Sequence, residues 1–115
     1  MGLTVPIPSS MEFNYIGSIS AQDGAKTSID LNNVDALVIS LRISGHNQPV
    51  FVPLKMIAEG TNYYSIVINE GANTATTTVQ IDKSDSSYTV TARLWYSNYW
   101  NVNQATIQFY TIRIP

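Results

Sequence analysis

An antiparallel β-sandwich is the fold that this all-β sequence predicts, and three observations carry the prediction. Apolar residues recur with a period of two along most of the chain, as they do where one face of a strand is buried. The alternating runs are rich in Val, Ile, Thr, Tyr and Phe, side chains that pack well on a pleated surface. Turn-forming residues punctuate them at Asp23-Gly24, Asn32-Asn33, Gly45-His46-Asn47, Glu59-Gly60, Glu70-Gly71, Asp82 to Ser87 and Ser97 to Asn103. About eight strands at this spacing indicate a sandwich of the jelly-roll or immunoglobulin-like kind.

Each element follows from a particular stretch. Residues 1–10, with prolines at 6 and 8, form an extended N-terminal arm, because proline cannot donate to a central ladder. Residues 11–115 form a single domain, opening with strands in "MEFNYIGSIS" (11–20) and "TSIDL" (27–31). In "ALVISLRIS" (36–44), Leu37, Ile39, Leu41 and Ile43 share one face, which is the core face. After "PVFVPL" (49–54), the run "LKMIAEG" (54–60) starts behind Pro53 and stops at Gly60, so it gives one short helical turn near 54–59. The runs "YYSIVIN" (63–69) and "TATTTVQID" (74–82) bring Ile66, Ile68, Val79 and Ile81 to the core. Regular alternation in "YTVTARLWY" (88–96) places Val90, Ala92, Leu94 and Tyr96 inside, with Thr89, Thr91, Arg93 and Trp95 outside. The last run, "ATIQFYTIRI" (105–114), is apolar on both faces, with Ile107 and Phe109 on one and Tyr110, Ile112 and Ile114 on the other. Such a strand lies between layers or contributes to a subunit contact.

A chain of 115 residues makes one domain and needs no disulfide or metal for stability. It has no cysteine, which excludes disulfides, thiolate zinc sites and cysteine nucleophiles. The net charge is −2, and the basic residues Lys26, Arg42, Lys55, Lys83, Arg93 and Arg113 are scattered. A nucleic-acid binder would show a basic stripe, so nucleic acid is not an expected partner. Only 12% of residues are charged, so Ser, Thr, Asn and Gln must supply the surface polarity. Such a surface suits hydrogen bonding to sugars, lattice contacts or an extracellular setting. "MGLTVPIPSS" has neither a basic n-region nor a long apolar run, and no window reaches the length of a membrane span, so neither a secretory leader nor membrane insertion is expected.

The titratable residues offer no catalytic constellation, so a protein that is not an enzyme is expected. His46 is the only histidine and sits in the turn "SGHNQP", without a nucleophile context such as G-x-S-x-G. The acids Glu12, Asp23, Asp30, Asp35, Glu59, Glu70, Asp82 and Asp85 fall mostly at strand ends and turns, where carboxylates cap the backbone. Asp82 and Asp85 could bracket Ca²⁺, but their spacing is not that of an EF-hand and Lys83 between them opposes a cation. The glycines form no phosphate loop, and no cofactor or metal is expected.

The richest stretch is "LWYSNYWNVN" (94–103), where two pairs of rings are interspersed with asparagines. Aromatic rings stack on the apolar faces of sugars, and amides both donate to and accept from hydroxyls. Trp95, Asn98, Tyr99, Trp100, Asn101 and Asn103 are therefore the candidate ligand-binding residues. Two other readings stand beside this one: rings folded back to plug an open end of the sandwich, and rings buried against another subunit.

Several runs taken together, "IDLNNVDALVISLRISG", "VFVPLKMI", "YTVTARLWY" and "IQFYTIRIP", resemble the small β domains of tailed-phage virion proteins, over residues 16–114. Such domains occur in tail fibres, baseplate and receptor-binding proteins, and head fibres. The chain departs from a fibre tip in having no shaft, collagen-like repeat or coiled coil. The resemblance implies a non-enzymatic subunit made in the host cytoplasm and located in the virion. Its partner would be a host-surface saccharide or another virion protein, and it would form a homo-oligomer with threefold symmetry. The alternatives are a carbohydrate-binding module of a cellular protein and a capsid decoration protein.

Overall fold

Two four-stranded antiparallel sheets pack face to face in the computed structural model, which describes residues 11–99 and 105–114. The strands are β1 (Glu12–Ser20), β2 (Lys26–Ile29), β3 (Ala36–Ile43), β4 (His46–Pro53), β5 (Gly60–Glu70), β6 (Asn73–Ser84), β7 (Ser87–Ser97) and β8 (Thr106–Arg113). The first sheet has the order β1-β8-β3-β4 and the second β2-β7-β6-β5. The helical turn expected near 54–59 is a single 3-10 turn, Leu54–Met56, at the passage from one sheet to the other. The expected arm 1–10 lies outside the described residues.

Alternation explains the core. Leu37, Ile39, Leu41 and Ile43 of β3 are fully buried, and their neighbours across the ladder include Ile107 and Phe109 of β8. Ile66, Val79, Ile81 and Val90 meet them from the second sheet. Each such side chain stabilises the fold by about 1.5–3 kcal/mol, and together they fix which face of every strand turns inward. The β3–β4 connection is a two-residue turn in which Ser44 and Gly45 both have positive φ, 50° and 83°. That turn matches the twist of the paired strands, and glycine takes the second position without steric cost.

One departure from regular alternation changes the candidate site. Thr78 pairs with Arg93 and Thr76 with Tyr96, so Leu94 and Trp95 together lie opposite Thr77. This is a β-bulge, with Leu94 in the left-handed region at φ 52°. The extra residue reverses the faces beyond it. Leu94, expected in the core, is 73% exposed, while Trp95, expected outside, packs against the core. Polar groups released by the bulge find partners: the Thr77 hydroxyl donates to the Arg93 carbonyl at 3.2 Å, and the Leu94 N–H donates to Asp23 at 3.2 Å.

Candidate functional site

Among the candidate residues in 94–103, the described ones are committed to the protein itself. Trp95 is turned inward by the bulge. Asn98 clamps the β5–β6 hairpin: its Oδ1 accepts from the Thr74 N–H at 2.6 Å and its Nδ2 donates to the Ala72 carbonyl at 2.8 Å. The Asn98 N–H adds a third bond, to the Thr74 carbonyl at 3.1 Å. Tyr99 is buried at the end of the sandwich, where its ring lies 6.1 Å from that of His46. Desolvation raises the Tyr99 pKa, and the Glu70 carboxylate nearby raises it further. Its hydroxyl finds no hydrogen-bond partner among the described residues. Trp100, Asn101 and Asn103 lie outside the described residues. The second aromatic pair divides in the same way, with Tyr64 partly buried and Tyr63 exposed.

His46 opens β4 and pairs with Glu70 of β5, a contact that ties the two sheets together at that end. The other acids mostly cap backbone groups. Asp30 accepts from the Asn32 N–H at 2.9 Å, Asp35 from the Ile114 N–H at 2.6 Å, and Glu59 from the Asp85 N–H at 2.8 Å. Asp82 accepts from the Thr61 hydroxyl at 2.7 Å and the Gln80 amide at 2.8 Å. These bonds, with weaker help from Arg93 and Lys26, lower its pKa.

The outer faces of the two sheets differ sharply. On the second sheet, Thr61, Gln80, Asp82 and Arg93 satisfy one another in a hydrogen-bonded chain. The first sheet carries rings there instead. Register places Phe13, Ile112, Ala36 and Pro53 in one cross-strand row, and Tyr15, Tyr110, Val38 and Phe51 in the next. Directly opposed residues share a face, so these rows form one apolar half-platform across four strands. The remaining rows are polar: Ser18, Gln108, Ser40 and Pro49, then Ser20, Thr106, Arg42 and Asn47. Phe13 stacks on Tyr110 at 5.0 Å, and Tyr15 tilts against the same ring at 5.4 Å. The tyrosine hydroxyl donates to Gln108 at 2.8 Å, which fixes the ring. Even so, Phe13 and Tyr15 are each 56% exposed and Phe51 is 60% exposed.

No protein-family model, no curated protein and no solved structure matches the chain.

The two-faced pattern of β8 pointed to half of this platform. Phe13 and Tyr15 stand in one run and Phe51 in another, and only the strand order brings them together with Tyr110. Their spacing did hold a signal: Phe13 and Tyr15 stand two apart, as residues on one face of a strand do.

Proposed function

We propose that this protein is a non-enzymatic attachment subunit of a tailed-phage particle, docking onto another virion protein through the outer face of its first sheet. The observation that carries the reading is the half-platform in which Phe13, Tyr15 and Phe51 stand exposed about the half-buried Tyr110 on a four-stranded sheet. Monomeric proteins rarely display contiguous aromatic patches without a partner for them. Aromatic anchors ringed by polar residues have the anatomy of a protein contact, in which a few rings dominate the binding energy. No cavity opens among the described residues, which favours a protein surface over a small enclosed ligand. The virion setting comes from the sequence resemblance. The capping roles of the acids and the pairing of His46 with Glu70 support a scaffold without catalysis.

A second reading, binding of a host-surface saccharide on the same face, is favoured by the Gln108 amide held beside the Tyr110 ring. Rings with adjacent amides are the groups that sugars engage.

The test is complementation of a gene deletion, with mass spectrometry of purified particles. The wild-type chain is expected in the particle. A Phe13→Ser/Phe51→Ser variant, altered only at exposed rings, is expected to fold but to remain in the lysate. Normal incorporation of that variant, or absence of the wild-type chain from particles, overturns the reading. A glycan array probed with the same pair of proteins distinguishes the saccharide reading.

A further inference from the structure

We infer that the free edge of β5 is a self-association site, at which a second copy adds its own β5 antiparallel about a twofold axis through Ser65. Sheet edges invite pairing, and natural proteins blunt them with short strands, bulges, proline or lysine. Three of the four edges here are blunted. The β1 edge is broken by a register shift between Tyr15 and Gly17. On β4, Pro49 and Pro53 lack donors, and β2 is only 4 residues long and carries Lys26. The β5 edge has none of these devices. It runs for 11 residues in unbroken register with β6, without proline, lysine or arginine. Apart from the Asn62 amide donating to Gly60, no described group bonds the backbone of β5 from outside β6.

The sequence of this edge is self-complementary. Tyr63 and Val67 are its large exposed apolar residues, at 64% and 44%, and they flank Ser65 symmetrically on the outer face. Pairing about Ser65 sets each Tyr63 opposite Val67 of the second copy, an aromatic and β-branched pair of the kind that stabilises ladders. On the inner face Tyr64 meets Ile66 of the second copy. Glu70, the only charge of β5, falls opposite a glycine, Gly60, so like charges never oppose each other. Lys83 lies next in that row, across Gly60, and faces the added carboxylate with the opposite sign. The product is one continuous eight-stranded sheet of order β2-β7-β6-β5-β5-β6-β7-β2. This twofold arrangement differs from the threefold one implied by the resemblance, and it leaves the outer face of the first sheet free.

The experiment uses the absence of any native cysteine. In the proposed register Ser65 faces itself, at the Cα separation of a directly opposed antiparallel pair, which a disulfide can span. A Ser65→Cys variant of the full chain is expected to crosslink under mild oxidation about tenfold faster than Val67→Cys, whose partner is Tyr63. Mixed Tyr63→Cys and Val67→Cys chains are expected to crosslink with each other faster than either does alone. Sedimentation of the wild type is expected to show a concentration-dependent dimer that Val67→Lys abolishes, with unchanged circular dichroism. Equal crosslinking rates for Ser65→Cys and Val67→Cys, or a wild-type monomer at every concentration, overturns the inference. The Phe13→Ser/Phe51→Ser variant is expected to dimerise like the wild type, so failure of the attachment reading is distinguishable from failure of this one.

Discussion

Replacing Leu94 with asparagine separates the bulge from the regular strand that alternation alone would draw. Leu94 is 73% exposed, so about a quarter of a leucine's burial is lost, on the order of 0.4–0.8 kcal/mol. Against this, Leu94 occupies the left-handed region at φ 52°, which costs a non-glycine residue about 1–2 kcal/mol and costs asparagine less. Relief of about half that strain offsets the lost burial, and the stability of Leu94→Asn is expected within about 1 kcal/mol of wild type. A leucine buried in a regular strand would behave otherwise, since a cavity and an unpaired amide together cost about 4 kcal/mol or more. Urea unfolding followed by circular dichroism resolves the two. With a slope of about 1.5 kcal/mol per molar, the midpoint moves by less than about 0.7 M in the first case and more than about 2.5 M in the second. A loss on the larger scale would refute the reversal of faces at the bulge. The complementary change, Trp95→Ala, is expected to cost about 2–3 kcal/mol, less than full burial of the ring would imply.

Asn98→Ala removes both side-chain bonds to the β5–β6 hairpin, and a loss of about 1–2 kcal/mol is expected in the same unfolding assay. Hydrogen exchange should show the Thr74 amide losing protection first. For Asp82, whose folded pKa is depressed by the Thr61 and Gln80 hydrogen bonds, the contribution is present above the unfolded pKa of about 3.9 and lost as pH falls through the lower folded value. Asp82→Asn is therefore expected to flatten the acid side of the stability profile and to leave its shape near neutrality unchanged, as thermal melts across pH will show.

Period-two patterning was enough to reveal the eight strands and most of the core, because every strand of the second sheet buries one face and leaves a more polar one outside, and the inner faces of the first sheet keep the same period. Leu37, Ile39, Leu41, Ile66, Ile68, Val79, Ile81 and Val90 all lie where alternation puts them. Leu94 does not, since a bulge inserts one residue and the sequence has no glycine there to announce it. Its causes are distant in the chain: Thr77 and Asp23 hold the freed backbone groups, and neither stands near Leu94 in sequence. The aromatic platform was hidden for a similar reason. β8 inserts between β1 and β3, and that order, which no local pattern encodes, gathers rings from three separate runs.

The position of β8 also sets a timetable for synthesis. β5, β6 and β7 follow one another as a meander and can zip up as soon as they leave the ribosome, at little entropic cost. Completion of the first sheet must wait, because both seams of β8 are long-range, joining Arg113 to Glu12 and Ile112 to Ala36. Contacts of such wide sequence separation form slowly. Until β8 arrives, Phe13 and Tyr15 have no Tyr110 to lean on, and Phe51 stands apart from them. The aromatic platform thus comes into being only when the last strand docks, whereas the β5 edge is already on display in the early meander, so of the two surfaces it is the edge that a half-made chain presents to its neighbours on the polysome.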